Sequence, residues 1–202
     1  MNKFFGRVRI PSEKNGEIDI HYILGQTFLF VDNYHQSTHY ISIMWRKALR
    51  HVPKSFEARK VLMLGLGGGS AVREIARRFS GCEITVVEWD PQMIALYHEI
   101  HSNDKPITII EADASVAVPA MTEKFDLVLV DLFKGNVTPP ELAGHEMVQA
   151  IADVLSPNGF CLLNAFVSPQ LVPVFDQHFT RQEMWKYQFN TLVLYRSVII
   201  GE

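Results

Sequence analysis

Residues 61–90 read VLMLGLGGGSAVREIARRFSGCEITVVEWD, and the order of their parts decides the fold. Val61 to Leu64 is an unbroken apolar run, the pattern of a strand covered on both faces. Glycines follow at 65, 67, 68 and 69. A helical stripe comes next, with Ala71, Val72, Ile75, Ala76 and Phe79 on one face and Arg73, Glu74, Arg77 and Arg78 off it. A second apolar run, Ile84 to Val87, ends in Glu88. Strand, glycine turn, helix, strand and carboxylate together make half of a nucleotide-binding α/β sheet. Glycine has no Cβ, so the chain can turn tightly and a ligand can lie against the backbone. The turn opens a helix whose free N–H groups and positive dipole end favour an anionic or carboxylate-bearing ligand. Glu88, at the carboxyl end of the second strand, is placed to accept both hydroxyls of a ribose.

The type of nucleotide follows from what else stands on that edge. A dinucleotide turn has glycine at its first, third and sixth positions. Here these are Gly65, Gly67 and Ser70, so the last is missing and NAD is disfavoured. Ile107 to Ile110 form a third strand, and the short acidic segment EADAS after it can hydrogen-bond an adenine edge. Leu127 to Val130 form a fourth strand, ending in Asp131. Acidic strand ends suit a nucleoside carrying a cationic sulfonium better than a pyrophosphate. Asp131, beside such a sulfonium, can orient an acceptor amine or take its proton, which makes it the candidate catalytic residue.

At these residues the chain resembles the spermidine synthases, the polyamine aminopropyltransferases. That family lies within the class I S-adenosylmethionine-dependent methyltransferase fold. VLMLGLGGGSAVREI is similar to its nucleoside-binding motif, with Arg73 and Glu74 kept, and the similarity runs from about residue 17 to the C-terminus. FLFVDNYHQS resembles the family's hairpin ending in glutamine, which places Gln36 at the glutamine. The resemblance implies that Gln36, Gly65, Gly67, Gly68, Gly69, Glu88, Asp113 and Ala114 bind the nucleoside, and that Asp131 is the first aspartate of the catalytic loop. It implies S-adenosylmethionine or its decarboxylated form as co-substrate, and a small-molecule amine or other acceptor. Departures concentrate at the acceptor. Gly68 stands where the family has an aspartate, which removes a partner for an amine and leaves room for a carboxylate. Lys134 stands where the loop carries its second aspartate. The acidic stretch after the glutamine is cut down to STHY. A polyamine pocket needs carboxylates, so an ordinary polyamine is disfavoured as acceptor. Three readings follow: a divergent aminopropyltransferase, a methyltransferase of unknown acceptor, or a non-catalytic nucleoside-binding homologue.

The chain has 202 residues, 48% of them apolar and 20% charged, which fits one globular domain with an appendage. Its net charge of −3 gives no electrostatic case for nucleic acid. The expected fold is α/β: a mostly parallel Rossmann-like sheet of the class I methyltransferase type with a C-terminal antiparallel hairpin. Residues 1–38 form a small N-terminal segment with a β-hairpin over Ile18 to Val31, and 39–202 the nucleoside-binding domain. Residues 1–16 read as loosely held. Tyr40 to His51, Glu141 to Leu155 and Pro169 to Phe179 read as helices, and Ser156 to Gly159 as a turn. The terminal hairpin is expected to turn at Asn190-Thr191. Tyr34 and Tyr40 are candidate walls of the acceptor pocket, and His98 and His101 read as surface residues rather than metal ligands. Cys82 and Cys161 have no metal spacing and suit a reducing compartment. Met1 to Ile10 has no apolar signal core, and no run is long enough to span a membrane. A cytoplasmic enzyme without a metal is expected, and a homodimer is allowed.

Overall fold

The computed structural model describes residues 4–133, 138, 140–166 and 168–198. Four strands come first: β1 (Phe5–Ser12), β2 (Gly16–Ile23), β3 (Gln26–Val31) and β4 (Tyr34–Ser37). They pair antiparallel in that order. Alternation puts Ile18, Ile20, Tyr22, Leu29 and Val31 on one buried face. The expected hairpin is therefore the middle of a larger sheet. Residues 5–12 are not loose, because β1 pairs with β2 along its whole length, from Phe5 opposite Ile23 to Ser12 opposite Gly16. Val8 and Ile10 pack on the same cluster, and Arg7 and Arg9 form ion pairs with Asp19. Two apolar residues interleaved with arginines carry too weak a local signal to announce that strand.

The chain continues through α1 (His39–Ala48), β5 (Lys60–Leu64), α2 (Ser70–Arg78), β6 (Glu83–Glu88), α3 (Pro91–Ile100), β7 (Thr108–Glu111), α4 (Ala114–Ala117), β8 (Phe125–Val130), α5 (His145–Val154), β9 (Leu155–Asn164), α6 (Leu171–Phe175), β10 (Phe179–Tyr187) and β11 (Asn190–Ser197). These strands form a seven-stranded sheet in the order β10-β11-β9-β8-β5-β6-β7. β9, β8, β5, β6 and β7 run parallel, while β11 and β10 are antiparallel additions. Both faces are covered, as the apolar runs require. Leu62, Leu64, Val128 and Val130 enter one core, and Val61, Met63, Leu127 and Leu129 the other. The chain runs outward from β5 to β7 and then returns to β8 on the other flank. That reversal puts the crevice of an open α/β sheet at the carboxyl ends of β5 and β8.

Two ties hold the crevice walls. Asp90 is fully buried and caps α3, its Oδ1 accepting from the Gln92 N–H at 2.8 Å. Its Oδ2 accepts from Ser12 Oγ at 2.6 Å and from the Asn15 amide, which fastens the small sheet to α3. Glu74 on α2 is 2% exposed and takes a two-pronged Arg46 guanidinium from α1, both N···O distances 3.0 Å. Burial pushes its carboxyl up, but Arg46 and Arg77 outweigh this and hold it below the ordinary range.

Several local expectations shift. The segment read as a helix from 141 divides into a 3₁₀ turn (Pro140–Ala143) and α5. Residues 156–159 are an irregularity inside β9, with Asn158 at φ 63°. The 169–179 helix shrinks to α6. The terminal hairpin turns at 188–189, with Gln188 at φ 52°, not at Asn190-Thr191. Asn190 is needed in the strand, where its amide donates to Tyr40 Oη at 2.8 Å.

Candidate functional site

A cavity of about 1050 Å³ opens at the carboxyl ends of the parallel strands. Gln36, Gly65, Gly67, Glu88, Asp113, Ala114 and Asp131 all line it, as do Tyr34 and Tyr40. Gly68 and Gly69 do not; both are buried behind the turn. A Cβ on Gly68 would overlap the Ser37 side chain and come 2.8 Å from Leu29 Cδ1. The direction in which a side chain at this position would point is thus filled by β3 and β4, so an aspartate would not fit there without a shift of those strands. Gly69, at φ 79°, caps α2 against the Tyr97 ring, which a Cβ would approach to 2.6 Å. Its role is packing on α3. His101 is no surface residue either: its ring sits 2.9 Å from the Gly68 carbonyl through Nε2 and 2.8 Å from Asp104 through Nδ1.

The glycines that face the cavity do so because neighbouring backbone leaves no space. Gly65 has φ 90°, and a Cβ there would overlap the carbonyl oxygen of Asp131. Gly67 has φ 51°, and a Cβ would stand 2.8 Å from the Gln36 carbonyl oxygen. That carbonyl accepts the Gly68 N–H at 3.2 Å. Gln36 therefore braces the turn with its backbone while lining the cavity.

Glu88 does more than the sequence suggests. Its Oε2 accepts from the Leu66 N–H, and its Oε1 from the Trp89 and Asp90 N–H groups, all at 2.9 Å. The carboxylate locks the glycine turn to the start of α3 before any ligand arrives. Burial pushes its pKa up, against the pull of these N–H donors. Asp113 caps α4: its Oδ1 accepts from the Ser115 N–H at 2.8 Å and from the Ser115 hydroxyl at 2.7 Å. Its Oδ2 has no partner among the described residues and can serve a ligand.

Asp131 stands just past β8, its N–H donating to Leu64 O at 2.9 Å. Enclosure by protein pushes its carboxyl up to about 6. The Asn164 amide, which donates to Oδ1 at 2.8 Å, and the nearby Trp45 indole pull the other way. Trp45 Nε1 is buried and makes no hydrogen bond among the described residues, so it acts on Asp131 as a nearby dipole. Trp45, Asn164, Phe166 and Asn190 also line the cavity and were not anticipated. Asn164 had a signal: it ends the apolar run of β9 on the same edge as Glu88 and Asp131. Lys134, Gly135 and Pro139 lie outside the described residues.

Comparison with known proteins supports this fold. Residues 61–159 match the family model described as a methyltransferase domain. A spermidine synthase bound to the transition-state analogue AdoDATO superposes with a TM-score of 0.73 at 18% identity, covering 94% of this chain and 72% of that one. The N-methyltransferase NodS from Bradyrhizobium japonicum, bound to S-adenosylhomocysteine, superposes at 0.64 with 15% identity, covering 80% of this chain and 89% of that one. The chain has the class I methyltransferase fold. Its sequence relatives include polyamine aminopropyltransferases. That of Aquifex aeolicus is 35% identical over 115 residues, and that of Vibrio vulnificus 27% over 123. These matches span 52% and 55% of this chain but only 23% and 39% of the relatives' own lengths. No helix among the described residues is long and apolar enough to cross a membrane.

Proposed function

We propose that this class I methyltransferase-fold chain is a spermidine-synthase-like transferase that binds S-adenosylmethionine or its decarboxylated form. The observation that carries the reading is the single cavity shared by Glu88, the Gly65–Gly67 turn and Asp131. Glu88 and Asp113 serve the nucleoside, and Asp131 serves the acceptor. The chemistry is an in-line displacement. The acceptor lone pair forms a bond to the carbon beside the sulfonium, the carbon–sulfur pair goes to sulfur, and a neutral thioether leaves. Such a leaving group needs little help, so the protein contributes positioning and a proton acceptor. The two unpaired thiols, Cys82 and Cys161, fit a cytoplasmic setting.

Aminopropyl transfer is placed before methyl transfer because the sequence relatives include polyamine aminopropyltransferases. Incubation with each donor plus an amine, followed by mass analysis of the product, separates the two. An aminopropylated product supports the reading; a methylated one, or none with either donor, contradicts it.

The nucleoside assignment makes its own prediction. Glu88→Ala is expected to weaken methylthioadenosine binding by about 1.5–3 kcal/mol, the worth of a charged acceptor. It should also lower the denaturation midpoint, because three backbone N–H groups lose their partner. A variant that binds methylthioadenosine as well as the parent does would place the ribose elsewhere.

A further inference from the structure

Among the described residues, a cluster of rings lines the same cavity as Asp131. Tyr34 comes from β4, Phe133 from the segment after β8 and Phe166 from the segment after β9. Tyr34 meets Phe166 edge to face at 6.2 Å and 85°, and Phe133 meets it at 5.4 Å and 75°. Tyr40 adds a further wall, its hydroxyl pinned by the Asn190 amide. Phe166 holds φ 42°, a left-handed conformation that bulky residues rarely adopt. Strain of that kind persists where the surroundings enforce it, and it gathers at ligand sites. Here the enforcement is visible. The Phe166 N–H donates to Asn164 Oδ1 at 3.1 Å, while the same asparagine's amide donates to Asp131 Oδ1 at 2.8 Å. One side chain therefore sets the ring and the carboxylate in fixed relation.

Carboxylates there are few. Among the described residues lining the cavity, the acids are Asp32, Glu88, Asp113, Asp131 and Glu141. Glu88, held by three backbone N–H groups, and Asp113, which caps α4, are assigned above to the nucleoside. Asp32, on the β3–β4 turn, and Glu141, on the 3₁₀ turn, are exposed to solvent. That leaves Asp131, a half-buried carboxylate tied through Asn164 to the backbone of Phe166. A linear diamine brings two ammonium groups, and each needs a polar partner when taken out of water. An amine with one nitrogen and an aryl or other ring-sized apolar body would place its nitrogen at Asp131 and bury its body against the rings.

We propose that the acceptor belongs to this second class, the arylalkyl monoamines, with Phe166, Tyr34 and Phe133 as the residues that select it. The proposal rests on the transferase reading above. In the transfer, the amine nitrogen bonds to the donor carbon, the carbon–sulfur pair stays on sulfur, and the proton released from nitrogen goes to Asp131. The sulfonium donor is the only co-reactant required.

The test is calorimetric titration of phenethylamine and of putrescine into protein already saturated with methylthioadenosine. Phenethylamine should bind at least about tenfold more tightly than putrescine. Phe166→Gly accepts the left-handed backbone and so preserves the local fold. That variant and Tyr34→Ala should each lose about tenfold or more for phenethylamine and change little for putrescine. Putrescine binding as tightly as phenethylamine, or variants that leave phenethylamine unaffected, would overturn the proposal. Failure of methylthioadenosine itself to bind would overturn the nucleoside reading, and this one with it.

Discussion

Asp131→Asn is expected to abolish most transfer activity and to stabilise the protein at neutral pH. Loss of a positioned proton acceptor lowers rates by about 10²–10⁴. The stability gain follows from the environment of the carboxyl, which is pushed up to about 6 from the ordinary 3.8 because it is enclosed by protein. The folded state holds that proton more tightly than the unfolded chain does. Its contribution to stability is therefore fully present below about pH 4 and lost as the pH rises through about 6. By pH 7 the ionised carboxylate works against folding by up to roughly 3 kcal/mol, a shift of about two units. Asparagine keeps the shape and still accepts the Asn164 N–H, without the charge. Thermal melts of parent and variant should coincide near pH 4 and separate above pH 6, with the variant higher. The parent's transfer rate should fall as the pH drops below about 6. Equal rates for the two proteins, or a variant that melts lower at pH 7, would take Asp131 out of the chemistry and leave it a loop residue.

Gly65→Ala should fail to give a stable protein. A Cβ there would overlap the Asp131 carbonyl oxygen and stand 3.1 Å from its carbonyl carbon. Both are backbone atoms of the neighbouring strand end, so relief requires β5 and β8 to part at the switch point of the sheet. Gly81 supplies the control, since it has φ 88°, nearly the same as the 90° of Gly65, but nothing within 4 Å of an added Cβ. Gly81→Ala should therefore cost only the conformational penalty, about 1–2 kcal/mol. Gly65→Ala should cost that plus a steric clash, a total above about 4 kcal/mol. Denaturant midpoints for the pair read the difference directly. Similar losses at the two sites would mean that the contact between β5 and β8 is looser than described.

Residues 61–90 were legible because their signals are local. An apolar run, a glycine turn and a helical stripe can each be read within a few residues, and with the further apolar run Leu127 to Val130 they placed Glu88 and Asp131 on one sheet edge. What escaped reading depends on distant segments meeting. Trp45 looks like an ordinary apolar helix residue until α1 packs against α2 and brings its ring to the cavity. Asn164 becomes the partner of Asp131 only once β9 lies next to β8. Gly68 and Gly69 were assigned to the ligand because glycines in such turns commonly face it, whereas here they admit Ser37 and Tyr97. The strand β1 escaped because arginines interrupt its few apolar residues. Its pairing is set by β2, which no window of residues 5–12 contains.

The central claim is that this cavity is built for an adenosyl thioether or sulfonium. Calorimetric titration of methylthioadenosine and of NAD into the purified protein tests it most directly. The account predicts one methylthioadenosine per chain with an affinity on the order of micromolar, about −8 kcal/mol, and far weaker NAD binding, because buried Ser70 stands in place of the last glycine of a dinucleotide turn. Stoichiometric NAD binding with no heat from methylthioadenosine would contradict it.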